Sequence, residues 1–389
     1  MPMTNTIVYA GRGSSHSWTW LADLFESNGV LNVRFLDSQE FISSLASGSV
    51  SVAIVSGGDG FAIADALRGQ GFRNLGEFIL KGGMFVGICA GAYLPLPSSV
   101  EPFSGFNIST TKIENVRCEA RRGSVYSPRE AVPYGNCSIV HPIRGPIEIT
   151  DGSRKSIVAP LYGGPVFKEP KEDAVIMRYK SFTPDTEFQL DRAMAEAMVI
   201  NKPAVIRVIH GNGSLVLFGP HLEHPRYPQA NNLFLRLLGY DGSARRRGYA
   251  TPLPERSRRA ELYRSISDLK VAVLGLENRS FTVGHKAWDG SRLLEIVLAI
   301  EKRGWTLSGA RSKLVASDLG RVRDLLMGMK VGVESDADEI TSILVEAART
   351  CVGNHFLVLS DKVRKSSGIC SGTLVDHRKM DDFIAYRMV

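Results

Sequence analysis

The residues best suited to chemistry gather around one cysteine. In Gly87-Ile88-Cys89-Ala90-Gly91-Ala92-Tyr93, Cys89 stands between an apolar run and a string of small residues. A strand ending at Ile88, a tight turn at Cys89 and a helix opening at Ala90 would make the cysteine counterpart of the G-x-S-x-G nucleophile elbow. Glycine at 87 and 91 lets the chain turn sharply and lets strand and helix approach closely. Free amide groups at the helix start would favour thiolate over thiol. Taken alone, G-x-C-x-G is a weak pattern, because buried small-residue turns also produce it.

Two further segments strengthen it. Ser51-Val52-Ala53-Ile54-Val55-Ser56-Gly57-Gly58-Asp59-Gly60 reads as a strand running into a glycine-rich turn. Amides of Gly57 and Gly58, with that of Ala90, are candidates to cradle an oxyanion. An ordinary strand-to-helix turn or a phosphate loop is the plainer reading, although the Walker pattern is absent. Later, Leu217-Phe218-Gly219-Pro220-His221-Leu222-Glu223-His224-Pro225 closes an apolar strand. If extended geometry continues through His221 and Glu223, both point the same way. The carboxylate then orients an imidazole that takes the cysteine proton. A surface H-x-E pair is the bland alternative, and His224 is a rival base of opposite parity.

The elements that must position these residues are legible as alternating strands and helices over residues 1–240. Strands are expected at Ile7–Ala10, Leu31–Leu36, Ser51–Val55 and Met84–Ile88. Helical spacing covers Trp18–Glu26 and Phe72–Leu80, with a helical turn at Phe41–Leu45. Such alternation implies an α/β fold whose active site gathers at the carboxyl ends of the strands. Shorter β runs follow at Ile147–Thr150, Val158–Leu161 and Ala174–Tyr179. A hairpin is expected around Gly211-Asn212-Gly213, and a closing helix over Gln229–Leu238. Residues 241–260 carry Gly, Pro and six arginines and read as a basic linker, with an anion-binding segment the lesser alternative. Residues 261–389 read as a smaller mixed or helical domain. Helices are expected at Arg292–Ile300 and after Asp336, and a strand at Phe356–Leu359. Its histidines at 285, 355 and 377 look isolated.

The motifs in this order resemble class I glutamine amidotransferase-like domains. They are most similar to the amino-terminal domain of eukaryotic biotin–protein ligases, through the segment from Gly82 to Tyr93, Arg144-Gly145-Pro146, Leu161-Tyr162-Gly163-Gly164-Pro165-Val166-Phe167 and Phe218–Glu223. The resemblance spans residues 5–240. It implies a flavodoxin-like three-layer sandwich with a mostly parallel sheet, a triad of Cys89, His221 and Glu223, and an oxyanion hole near Gly57, Gly58 and Ala90. Biotinylation is not implied, because Gly11-Arg12-Gly13 is too short a match for a ligase catalytic domain. One departure stands out. Tyr93 occupies the place where glutamine-using amidotransferases commonly carry Gln. Tyr93, Tyr162, Gly163 and Gly164 are therefore expected to shape a different pocket, with Arg144 reading a carboxylate or serving only as structure.

Composition limits the remaining choices. The chain has 389 residues, 44% hydrophobic and 22% charged, as in ordinary globular proteins. Its apolar runs fall far short of the roughly 20 residues that cross a bilayer, and the amino terminus lacks a secretory pattern. Five scattered cysteines, at 89, 118, 137, 351 and 370, fit neither a disulfide framework nor a zinc site, so a cytoplasmic setting without metal or cofactor is expected. A net charge of +7 is weak ground for nucleic-acid binding. The leading expectation is hydrolysis of a small-molecule amide, with ammonia passing to a partner protein. A non-catalytic ligand-binding or assembly module is the alternative, and a peptidase or other hydrolase a third.

Overall fold

Short, wholly apolar strands form the middle of the molecule. In the computed structural model, which describes residues 5–114, 131–134, 137–152, 155–168, 174–240, 259–276, 279–330 and 337–366, the chain opens with β1 (Thr6–Tyr9), α1 (Trp18–Ser27), β2 (Val33–Leu36), α2 (Ser38–Ala46) and β3 (Val52–Val55). α3 (Gly60–Leu67), α4 (Gln70–Leu80), β4 (Met84–Ile88) and the single turn α5 (Ala90–Tyr93) follow. Every residue of β1 and β3 is buried, as a strand covered on both faces requires. α2 is longer than the expected helical turn because Asp37 and Glu40 form a reciprocal capping box at its start.

Alternation along the strands sorts the core into two layers. Val8, Ile54, Val86 and Ile88 face α1 with its Trp18, Leu21 and Phe25. Ile7, Tyr9, Ala53, Val55 and Phe85 face α2, α3 and α4 through Phe41, Leu67 and Leu75. The result is a three-layer α/β sandwich.

Beyond α5 the chain adds β5 (Lys112–Ile113), the pair β6 (Ala131–Tyr134) and β7 (Cys137–Val140), and β8 (Ile143–Thr150). It continues through β9 (Ser156–Leu161), β10 (Phe167–Lys168), β11 (Val175–Phe182), β12 (Glu187–Phe188), α6 (Arg192–Val199), β13 (Pro203–His210), β14 (Gly213–Phe218) and α7 (Pro228–Leu237). The large sheet has the order β12-β8-β11-β13-β14-β4-β3-β1-β2, with β9 paired to β8. From β2 to β14 neighbouring strands are parallel. Beyond β14 the sheet turns antiparallel. β13 and β14 form the hairpin expected at Gly211-Asn212, with Gly211 at φ 61°. The parallel strands β3, β4 and β14 lie side by side, so their carboxyl ends deliver three separate loops to one place.

The remaining described residues are mainly helical with one hairpin: α8 (Ala260–Leu274), β15 (Ser280–Val283), β16 (Lys286–Asp289), α9 (Gly290–Arg303), α10 (Gly309–Lys330) and α11 (Ala337–Ser366). Phe356–Leu359 is not the expected strand but part of α11. Phe356 and Leu359 are buried while Leu357 is 47% exposed, which is helical rather than alternating spacing. These helices share the apolar cluster on the α1 face, with Phe356 packed 5.2 Å from Phe35. Most of the expected basic linker, residues 241–258, lies outside the described residues, as do His377, Cys118 and Cys370. Among the described residues no helix is long and apolar enough to cross a membrane.

Candidate active site

Cys89 follows β4 at once and adopts φ 52°, ψ −111°, a left-handed conformation rare for a residue with a side chain. Such a backbone costs about 1–3 kcal/mol and persists only where the surroundings impose it. Here they do. A Cβ on Gly91 would lie 2.0 Å from the Val55 carbonyl oxygen, and one on Gly87 would lie 2.6 Å from that of Gly91. Only glycine lets the elbow press this closely on β3. The Cys89 amide donates to the Phe218 carbonyl at 2.9 Å, tying the elbow to the end of β14. The thiol is buried, 3.8 Å from the Tyr162 carbonyl oxygen.

His221 and Glu223 meet the cysteine from β14, though not by continued extension. The strand ends at Phe218, and a turn brings His221 Nδ1 to 2.7 Å from Glu223 Oε1. Cys89 and His221 lie close enough for each to shift the protonation of the other, by charge and by hydrogen bonding. Ser56 donates to Glu223 Oε1 at 3.4 Å, and Ser17 stands 3.0 Å from Ser56, so hydroxyls extend the line behind the carboxylate. Burial acts most strongly on Cys89 and pushes its thiol up. His221, by charge and hydrogen bond, and then Lys286 outweigh it, and the thiol titrates below its ordinary range. Burial likewise opposes charge on His221, yet Glu223 and Cys89 together raise its pKa. Both shifts run in the direction that favours a thiolate beside an imidazolium.

The glycine turn lies against the same imidazole. A Cβ on Gly57 would sit 2.9 Å from His221 Cε1, and one on Gly58 would strike the Gly13 carbonyl at 2.2 Å. The Gly57 carbonyl is held by the Ser15 amide at 3.1 Å and the Ser15 hydroxyl at 3.0 Å. Among the described residues no backbone acceptor takes the amides of Gly58 or Ala90.

The other expected pocket residues are here too. Tyr93 donates its hydroxyl to the Gly163 carbonyl at 3.1 Å, so it braces the wall rather than reaching freely into the site. Gly164 abuts Gly219, where a Cβ would fall 1.9 Å from the carbonyl oxygen. The Arg144 guanidinium lies 5.9 Å from the centre of the Tyr162 ring. His224 is no base for the cysteine. It packs 4.3 Å from the Trp20 ring, and burial first, then charged His221, pushes its pKa down to about 4.

Several neighbours carried no signal in the sequence. Trp20 packs edge-on to His221 at 5.4 Å and donates to Glu295 of α9 at 2.5 Å. His16 meets Trp20 edge-on at 4.9 Å, and burial first, then nearby cations, pushes its pKa down. The tip of the β15–β16 hairpin rests on the turn that follows Gly58. The His285 amide donates to Asp59 Oδ2 at 2.6 Å, and the His285 ring lies 4.6 Å from Phe61. His285 is therefore not isolated. Nor is His355, buried 3.0 Å from Glu26. Contacts between residues hundreds of positions apart leave no local pattern to read.

With this geometry described, comparison with known proteins adds a family to part of the chain. Residues 4–104 match the biotin-protein ligase N-terminal family. The matched segment runs through β1, β4 and the elbow; His221, Glu223, Arg144 and the carboxy-terminal helices lie beyond it. Among solved structures, a glutamine amidotransferase is 16% identical, with a TM-score of 0.37 over 60% of this chain and 99% of that one. A β-galactosidase from Bacillus circulans is 14% identical, with a TM-score of 0.32 over 61% and 31%. A thua-like protein from Parabacteroides merdae is 12% identical, with a TM-score of 0.32 over 56% and 79%. No curated protein sequence matches the chain.

Proposed function

We propose that the chain cleaves an amide through Cys89, with His221 as proton carrier and Glu223 as its orienting carboxylate. The observation that carries this is His221 held 2.7 Å from Glu223 and electrostatically coupled to a buried thiol at a strained elbow. The Cys89 thiolate attacks the carbonyl carbon and forms the S–C bond. The oxyanion is received by the amides of Gly58 and Ala90. His221 gives its proton to the departing nitrogen as the C–N bond breaks, releasing ammonia or an amine. Water then loses a proton to His221 and attacks the thioester, releasing the acid and restoring the thiolate. Released ammonia passes to a partner protein, and the unpaired reduced thiol suits a cytoplasmic setting.

A second reading is a non-catalytic ligand-binding or assembly module that keeps the pocket. Tyr93, bonded to the Gly163 carbonyl where a substrate-holding Gln is common, favours it. Ammonia release from a panel of amides decides between them. On the catalytic reading, Cys89→Ser and His221→Ala each abolish release while circular dichroism shows the fold retained, and the double variant is no worse than either. Release unchanged in Cys89→Ser, or none from any amide, would leave the binding module.

A further inference from the structure

The hairpin of the carboxy-terminal region brings a cation to this site. β15 and β16 are joined by Gly284-His285, with Val283 paired to Lys286. Gly284 has φ 57°, as a two-residue hairpin turn demands. The turn fits tightly, since a Cβ on Gly284 would meet Asp59 Oδ2 at 2.3 Å. Asp59 in turn caps α3, accepting from Phe61 and Ala62. Docking on Asp59 brings the hairpin tip to the turn that follows Gly58, and Lys286, the next residue along, lies within electrostatic reach of Cys89.

Arg144 approaches from the other side. It stands over Tyr162, whose carbonyl touches the Cys89 sulfur. Burial first, then Lys286 and Arg144, pushes the pKa of His141, which lies against Gly163, down to about 4. Among the described residues neither Lys286 nor Arg144 has a carboxylate partner, although both are half-buried. Of the carboxylates nearby, Glu223 is engaged with His221, Asp59 with His285 and the α3 cap, Asp289 with Arg292, and Glu295 with Trp20, while Glu187, exposed and opposite Arg144 across the β8–β12 pair, forms no ion pair with it among the described residues. Two half-buried cations thus stand without an ion-pair partner among the described residues, and the carboxylates closest to Cys89 are already engaged.

We infer that Arg144 and Lys286 form a carboxylate subsite beside Cys89, and that the substrate is an amide bearing a free carboxylate and no ammonium group. The inference rests on the catalytic reading of Cys89 for the word substrate, but not for the subsite itself. A dicarboxylic acid monoamide has this chemistry, whereas zwitterionic glutamine sets its ammonium among cations.

Calorimetry with glutaramate, the five-carbon monoamide, tests it in the full chain carrying Cys89→Ser to prevent turnover. Glutaramate binds, and binding weakens at least about tenfold when Lys286→Met or Arg144→Met is added, in line with loss of a charge-assisted contact. Lys286→Arg restores most of it, which separates lost charge from a disturbed hairpin. Glutamine binds at least about tenfold more weakly than glutaramate, by the same contact energy. Failure of glutaramate to bind, equal binding in the Met variants, tighter binding of glutamine, or tighter binding of inorganic phosphate would each overturn the inference. Binding as expected without ammonia release by the wild-type chain would sink the catalytic reading and leave the subsite standing.

Discussion

At the scale of single residues the site is an acid–base pair tuned by burial and charge. The Cys89 pKa is lowered and that of His221 raised, so the ion pair exists between the two. Its contribution to stability has a definite window. The cysteine part is lost as pH falls through the depressed thiol pKa, and the histidine part is lost as pH rises through the elevated imidazole pKa. Iodoacetamide alkylation of Cys89 should accordingly keep its plateau well below the ordinary thiol midpoint near 8.5, and His221→Ala should move that midpoint upward. Cys351 is the internal control. Buried without a counter-charge of this strength, its thiol is pushed up to about 12 and should alkylate far more slowly at neutral pH. Peptide mapping of alkylated sites reads both, and a Cys89 midpoint at or above that of free cysteine would contradict the assignment. The cysteine, the H-x-E pair and the glycine turn were legible because each lies within a few residues along the chain. Ser17, Ser56 and Trp20 were not, since a hydroxyl or indole announces nothing until the fold shows what it faces.

At the scale of elements, β3, β4 and β14 lie adjacent and parallel, and the site is what their ends hold in common. This depends on how closely the elbow lies on β3. Gly91→Ala sets a methyl against the Val55 carbonyl, backbone against backbone, and should cost about 1–3 kcal/mol or more along with Cys89 reactivity. Gly76→Ala, in α4 with open space around it, should instead stabilise by about 0.5–1 kcal/mol and leave reactivity alone. Urea denaturation of both variants checks the pair, and equal effects would mean the close approach is unimportant. The strands up to β4 and the helices α1, α2 and α4 follow from apolar spacing, whereas α3 was not read from the sequence. Of the antiparallel extension, the β13–β14 hairpin was legible from its glycine turn, whereas the rest was visible only as unconnected β runs, because pairing across distant segments has no local signature. Phe356–Leu359 misled for a related reason: four large residues in a row, three of them apolar aliphatics, suit a buried strand or a helix face equally, and the length of α11 decided.

At the scale of the whole molecule, the carboxy-terminal helices are fastened to α1 by a buried cation. Arg303 is fully buried and donates to Asp23 and Glu26, both at 2.7 Å, while Glu26 also meets His355 and Lys302. Burial presses the Glu26 pKa up, but His355, Arg303 and Lys302 outweigh it and hold it below the usual carboxylate range. Its stabilising effect is therefore present above the unfolded carboxylate pKa and fades in acid. Arg303→Met should cost about 3 kcal/mol at neutral pH, and the difference from wild type should shrink as pH falls below about 4. Thermal melts across pH measure this, and a pH-independent difference would mean packing rather than charge. The same geometry sets an order of events during synthesis. Ser56 and Glu223 are 167 residues apart and Asp59 and His285 are 226 apart, yet each pair is bonded in the finished molecule. A ribosome delivers Cys89 long before its histidine, and the lysine-bearing hairpin later still. On the catalytic reading, Cys89 therefore stays an ordinary thiol until the chain that must control it has emerged.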